Sequence, residues 1–317
     1  MKYSSYLHPK RLEFLVTYRC TGQCRHCSVG DRIASPGKIR AIDPEIAVEA
    51  VRSLSKIGAL SSVMTFGGEP LLFPDTVCTI HRTATKCGIS TRQVITNGFF
   101  SRDPATIQAV AYALVESGVN DLLLSVDSFH QRTIPLDPVL CFAKALQNAG
   151  IPKLRLSPAW LVNRAVDNPH NQKTREILQE FRLLNIPVSH GNDISLSGNA
   201  AKYLAEYYPI TPLDLNTPCG SAPYTEPLTD VTSLSIEPNG DVTACAFVIG
   251  NLHRESMETI VSRYDPTKNE AMNALLTDGV PGLIALAKQR NLSANFDGIY
   301  SACDVCRRLA AKLNGSL

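Results

Sequence analysis

The stretch RLEFLVTYRCTGQCRHC, residues 11–27, decides how the rest of the chain is read. Its first seven residues, RLEFLVT, read as a strand. The strand runs directly into three cysteines, Cys20, Cys24 and Cys27, in the spacing CxxxCxxC. Three thiolates hold three corners of a 4Fe–4S cube and leave the fourth iron open, and an open metal position marks a reactive site. Zinc loops usually pair one CxxC with a second CxxC or with HxxxH. A zinc ion completed by His26 or by a distant residue is the alternative that the local spacing leaves standing.

Outward from this loop, short apolar runs alternate with amphipathic ones. Strands are expected at 11–17, 61–66, 91–96, 121–126, 153–157 and 187–190, and helices at 43–58, 73–88, 103–118, 136–150 and 171–185. Asp43-Pro44 and Asp103-Pro104 supply a cap and a first-turn proline, and Gly58 and Gly118 supply stops. Such βα repetition, with right-handed crossovers, builds a parallel sheet. About six units at about 30 residues each predict a partial (β/α)6 TIM-like barrel in an α/β chain. Ligands of parallel sheets sit at the carboxyl ends of the strands. The unusual motifs all fall there: the cysteine loop, GGEP (67–70), Asn97-Gly98, DSFH (127–130) and HGNDISLSGNAAK (190–202).

The bulk properties fit an ordinary globular protein: 317 residues, 44% hydrophobic, 19% charged and a formal charge of +2. No Lys/Arg run tracks a phosphate backbone, so nucleic acid is not an expected partner. No window approaches the ~18 apolar residues of a membrane span, and the N-terminus lacks a signal-peptide core. A cytoplasmic location is expected, with no membrane partner. Ten cysteines in such a chain are not a disulfide framework. Cys78, Cys87 and Cys141 fall in predicted helices and read as small buried hydrophobes.

Residues 203–218 carry three prolines without periodicity and read as a linker. The expected division is 1–205 for the barrel and 206–317 for the linker and a second unit. In that unit LSIEPNGDVTACAF (234–247) reads as a hairpin around Asn239-Gly240. SACDVCRRLAAKL (301–313) places a CxxC at the start of a basic helix. Cys219, Cys245, Cys303 and Cys306 make four thiolates, enough to close a second cluster or a structural zinc site.

CxxxCxxC after the first strand, followed by GGEP after the second, resembles the radical S-adenosylmethionine (SAM) superfamily. The resemblance implies a SAM-binding 4Fe–4S cluster on Cys20, Cys24 and Cys27, with SAM on the open iron. It implies reductive cleavage of SAM to a 5′-deoxyadenosyl radical, fed by a flavodoxin- or ferredoxin-type electron donor. It implies cofactor contacts from Gly67, Gly68, Glu69 (ammonium), Asn97, Ser125 and Asp127 (ribose) and Arg155 (carboxylate), with His26 near the adenine. The later cysteines resemble a SPASM/Twitch auxiliary domain, implying a second, auxiliary 4Fe–4S cluster on Cys219, Cys245, Cys303 and Cys306. ITNGFF, LLLSVDSFH, SLSGNAAK and CDVC together resemble radical SAM peptide epimerases that act on ribosomally made peptides (RiPPs). Ala246 stands where such enzymes carry their donor thiol, which turns the expected outcome toward oxidation or cross-linking of a peptide, with epimerisation kept as a further outcome. A two-cluster small-molecule alcohol dehydrogenase and a non-catalytic metal-binding module are the alternatives. No individual catalytic residue is assigned.

Overall fold

A computed structural model describes residues 4–34, 37, 40–58, 60–209, 212–293 and 295–314. Strands β1 (Leu7–Leu15), β2 (Ser62–Phe66), β3 (Thr91–Thr96), β4 (Asp121–Leu124) and β5 (Leu154–Leu156) pair in parallel in that order. The chain between them forms α1 (Gly30–Ala34), α2 (Pro44–Ile57), α3 (Pro74–Lys86), α4 (Pro104–Glu116) and α5 (Leu136–Asn148). The Asp-Pro starts act as read: Asp43 accepts from the Glu45 N–H, and Asp103 from the N–H groups of Ala105 and Thr106. This is the α/β architecture with a parallel-sheet core that the sequence implied.

Two expectations are corrected in the next segment. The sixth strand, 187–190, reduces to one parallel bridge between Leu156 and Val188. Pro187 has no N–H to give a ladder, so the pairing stops there. The predicted helix 171–185 becomes α6 (Pro169–Gln179), ended by a short 3₁₀ turn with Asn185 left-handed at φ 51°. Above β5, β6 (Ala159–Trp160) pairs with β7 (Asn192–Asp193), and α7 (Asn199–Tyr203) follows.

The C-terminal hairpin attaches where local sequence could not say. β8 (Val231–Ile236) pairs in parallel with the free edge of β1, and β9 (Asp241–Ala244) and β10 (Phe247–Asn251) extend the sheet antiparallel. One eight-stranded sheet therefore runs through both segments, in the order β10-β9-β8-β1-β2-β3-β4-β5. α8 (Met257–Arg263), α9 (Glu270–Gln289, kinked at Gly279) and α10 (Ala302–Asn314) share one apolar core with α2 to α5. The sequence division at 205/206 thus separates segments that share a sheet and a core. Ile210 and Thr211 of the expected linker lie outside the described residues.

Strand alternation sets the depth of every side chain. On one face Leu12, Phe14, Val63, Val94, Leu122 and Leu156 join the helical core. On the other, Glu13 lies opposite Ser235 and Met64, Met64 opposite Gln93, and Gln93 opposite Asp121. This row is bonded sideways. Ser235 Oγ donates to Glu13 (3.1 Å), Arg11 to Glu13 (2.6 Å) and Gln93 (3.1 Å), and Gln93 Nε2 to Asp121 (2.8 Å). One residue pair higher on the same face come Leu15 opposite Phe66 and Ile95 opposite Leu123. The carboxyl ends of the strands lie beyond that apolar layer.

Candidate active site

The cysteine loop leaves β1 and is tied down along its length. The Gly68 N–H donates to the Thr17 carbonyl (2.7 Å) and the Glu69 N–H to the Arg19 carbonyl (2.8 Å). Gly67 sits at φ +148°, and a Cβ there would lie 2.6 Å from the Thr17 oxygen; one on Gly68 would lie 2.2 Å from the Arg19 oxygen. The paired glycines are therefore demanded by the approach of the two loops, a reason the sequence did not disclose. Asn199 clamps the far end: its N–H donates to the Cys27 carbonyl (3.0 Å) and its Nδ2 to the Cys24 carbonyl (3.1 Å). Beside the loop, Tyr18 donates to Glu237 at the end of β8, and Arg32 donates to both.

Cys20, Cys24 and Cys27 line one cavity of about 1020 Å³, together with Gly67, Gly68, Asn97 and Ser125. Asn97 Nδ2 points at the Cys20 sulfur from 3.6 Å, and the Gly22 N–H donates to the same sulfur at 3.3 Å. Burial pushes the Cys20 thiol up to about 11 and raises Cys24 and Cys27 as well. Such thiols deprotonate when cationic iron takes the proton's place. Among the described residues, the donors gathered tightly enough for a single ion are Cys24, His26 and His130, whose ligand atoms lie within 4.8 Å of one another. The three cysteines do not form such a group. A donor set that surrounds one cavity without converging on one point fits a cube-sized cluster better than a lone zinc.

Three of the expected cofactor contacts, Glu69, Asp127 and Arg155, are bonded within the protein and are not among the residues lining the cavity. Glu69 is fully buried, and its carboxylate accepts from the Leu71 N–H (2.9 Å), the Thr96 hydroxyl (2.7 Å) and the Asn97 N–H (2.8 Å). Burial raises it to about 7 against the pull of those donors. It stitches the β2 and β3 loops together. Asp127, also fully buried, accepts from the N–H groups of Phe129, His130 and Ala159 (2.9 Å each) and from His130 Nδ1 (2.8 Å). Burial alone would raise it, but the His130 imidazole and the converging donors hold it well below the usual carboxylate range; His130 is raised in turn. Arg155 lies opposite Leu123, level with the apolar layer, and its Nη2 reaches back to the polar row to donate to both oxygens of Asp121 (2.7 and 2.8 Å).

Cavity positions to which sequence reasoning gave no individual role include His130, Ser157, Asn199 and Tyr224. DSFH and SLSGNAAK stand out as unusual in the sequence, yet nothing local assigns a role to His130 or Asn199. Ser157 is simply the next residue on the Arg155 face, two steps closer to the strand end. Tyr224, on the loop after Cys219, reaches across the mouth to donate to Asn192 Oδ1 (2.6 Å), and nothing local announces it.

The second cysteine set also converges. Cys219, Cys245, Cys303 and Cys306 line one cavity of about 290 Å³. Cys303 and Cys306 stand in the first turns of α10, and Cys245 in the β9–β10 turn with φ 52°. Burial raises Cys219 and Cys245 and pushes Cys306 up to about 12. These four form no single-ion group either among the described residues. Cys78 is buried in the core, and Cys87 and Cys141 pack against it, as small hydrophobes do.

Curated relatives include a GTP 3′,8-cyclase of Lactiplantibacillus plantarum, 30% identical over 114 residues, which are 36% of this chain and 32% of that protein. A GTP 3′,8-cyclase of Xanthomonas campestris pv. campestris is 24% identical over 227 residues, 65% of this chain and 64% of that one. The chain thus spans about a third of the first relative and under two thirds of the second. Among solved structures, a histidine-tagged form of anSMEcpe with bound AdoMet superposes with a TM-score of 0.52 at 13% identity, over 80% of this chain and 77% of that one. At that identity the likeness speaks to the fold. No helix among the described residues is long and apolar enough to cross a membrane. The family model for the radical SAM superfamily matches residues 14–192, more than half of the sequence, and the chain belongs to that superfamily.

Proposed function

We propose that this radical SAM enzyme abstracts a hydrogen atom from a small-molecule substrate held above its cysteine loop. In this reading Cys20, Cys24 and Cys27 hold the SAM-binding 4Fe–4S cluster, and Cys219, Cys245, Cys303 and Cys306 hold an auxiliary 4Fe–4S cluster. The observation that carries it is the single cavity where the three cysteines, Gly67, Gly68, Asn97 and Ser125 meet at the strand ends. Bound there, the reduced cluster and the sulfonium supply a 5′-deoxyadenosyl radical. The chain's own part is to hold and to exclude. Asn97 fixes Cys20, Ser125 and Ser157 offer hydroxyls to the cofactor, and Leu15, Phe66 and Ile95 floor the cavity against water.

The peptide substrate expected from the sequence finds no support among the curated relatives, which are named for cyclising GTP. A space of about 1020 Å³ must also hold cluster and cofactor, leaving room for a molecule of modest size. The runner-up expected from the sequence, a two-cluster small-molecule alcohol dehydrogenase, moves forward. A flavodoxin- or ferredoxin-type donor remains the proposed reductant.

The test is anaerobic reconstitution followed by reduction in the presence of SAM. The reading expects about eight irons per chain with both clusters loaded, release of 5′-deoxyadenosine, and none from Cys20→Ala. Tightly bound zinc with no SAM cleavage overturns it.

A further inference from the structure

Beyond the cluster reading, we infer that Cys24, His26 and His130 form a binding site for one divalent transition-metal ion, zinc by preference, in the cluster-free chain. Their ligand atoms lie within 4.8 Å of one another, the tightest grouping of soft and imidazole donors among the described residues. One thiolate, two imidazoles and a face open to the cavity make the donor set of a four-coordinate zinc with one exchangeable position.

Two further observations point at a ligand. His130 is oriented as metal-bound histidines are. Its Nδ1 is taken by Asp127 (2.8 Å), which fixes the tautomer and leaves Nε2 with its lone pair free. Asp127 is itself immobilised by three backbone N–H groups, so the carboxylate–imidazole pair is built into the wall. His26 supplies the second observation: its Nδ1 is buried and has no hydrogen-bond partner in the protein. Buried polar atoms are rarely left this way without a ligand or a functional reason. The two rings are held edge to face at 4.8 Å, and Phe129 braces His26 from 5.2 Å.

The site and the cluster share Cys24, so the two occupants exclude each other. An ion captured here blocks the first cluster from assembling.

Cobalt(II) serves as the zinc probe, because a tetrahedral thiolate site colours it. The parent is the full chain carrying Cys303→Ser and Cys306→Ser, which silences the second cysteine set, stripped of iron. The parent is expected to bind one cobalt with tetrahedral d–d bands and thiolate charge transfer. Adding Cys20→Ser and Cys27→Ser leaves that spectrum and its affinity unchanged. His26→Gln and His130→Gln each weaken binding by at least about tenfold, and Asp127→Asn by roughly 10–100-fold. Loss of the signal in the Cys20/Cys27 variant means that the three cysteines hold the ion, and overturns the inference. So does an affinity unmoved in His26→Gln, or a parent without a tetrahedral spectrum. Should His130→Gln or Asp127→Asn fail to fold, His26→Gln, which disturbs no hydrogen bond of its ring Nδ1, decides alone. A second readout is competition. Zinc added before iron and sulfide suppresses cluster formation in the parent and not in His26→Gln. Failure of the SAM reading shows separately, as absence of 5′-deoxyadenosine from the iron-loaded wild type.

Discussion

Arg155 separates two accounts of the cavity wall. Its position on β5 suggests a guanidinium that meets the cofactor's carboxylate, whereas the structure commits it to Asp121. Arg155→Met keeps the aliphatic stem and deletes the charge. Breaking a fully buried ion pair from one side costs about 3–5 kcal/mol, and an exposed pair is worth at most about 1 kcal/mol. Here the Arg155 side chain is 26% exposed and that of Asp121 9%. After the substitution Asp121 keeps Gln93 Nε2 at 2.8 Å and Lys153 Nζ at 3.8 Å. The loss should therefore fall between the limits, at about 2 kcal/mol. At about 1.5 °C per kcal/mol for a chain of 317 residues, Tm falls by about 3 °C. SAM affinity, measured calorimetrically on the reconstituted protein, should stay within about twofold of wild type. Asp121→Asn should lose a similar stability, and the double variant about 1–2 kcal/mol less than the sum, because the two groups share one interaction. If Arg155→Met melts within a degree of wild type while SAM binding weakens about tenfold or more, the guanidinium reaches the cofactor and the layered reading of the barrel interior is wrong.

Other consequences are as direct. Glu69, raised from 4.5 to about 7 by burial, holds a proton in the folded chain that the unfolded chain has already released. Its contribution is full below about 4.5 and is lost as pH rises through about 7, so the stability advantage of cluster-free wild type over Glu69→Gln should shrink across that window; an advantage that grows contradicts the assignment. Glu237→Ala releases both Tyr18 and Arg32 from β8, and should cost about 1–2 kcal/mol in denaturant unfolding. It should also speed oxidative loss of the first cluster relative to the second, and equal rates would leave the clamp without a role at the cysteine loop. Cys303→Ala should lower iron from about eight to about four per chain, keep SAM cleavage and abolish product; product at the normal rate removes the auxiliary cluster from the reaction.

Much of this was legible in one dimension. Asp-Pro starts and glycine stops fixed where the helices lie, because caps act within a turn of the chain. CxxxCxxC placed directly after a strand fixed the site's face, because parallel strands all present their carboxyl ends together. What a motif does not encode is depth. Glu69 and Asp127 are acids at strand ends, as cofactor contacts would be. Whether such a carboxylate faces a ligand or a ring of backbone N–H groups depends on donors brought from β3 and from the β4–β6 connections. Arg155 and Ser157 share a face and differ only by one step of the pleat, yet one serves the floor and the other the cavity.

Only the tertiary structure could join β8 to β1. That pairing spans more than two hundred residues and rests on two strand edges finding each other. Folding also brought His130 beside Cys24 and His26, across a hundred residues and two loops. Sequence set the chemistry each loop carries, through residue type and local spacing; folding chose which groups meet, because contact is decided by sheet register and loop packing that no local pattern records.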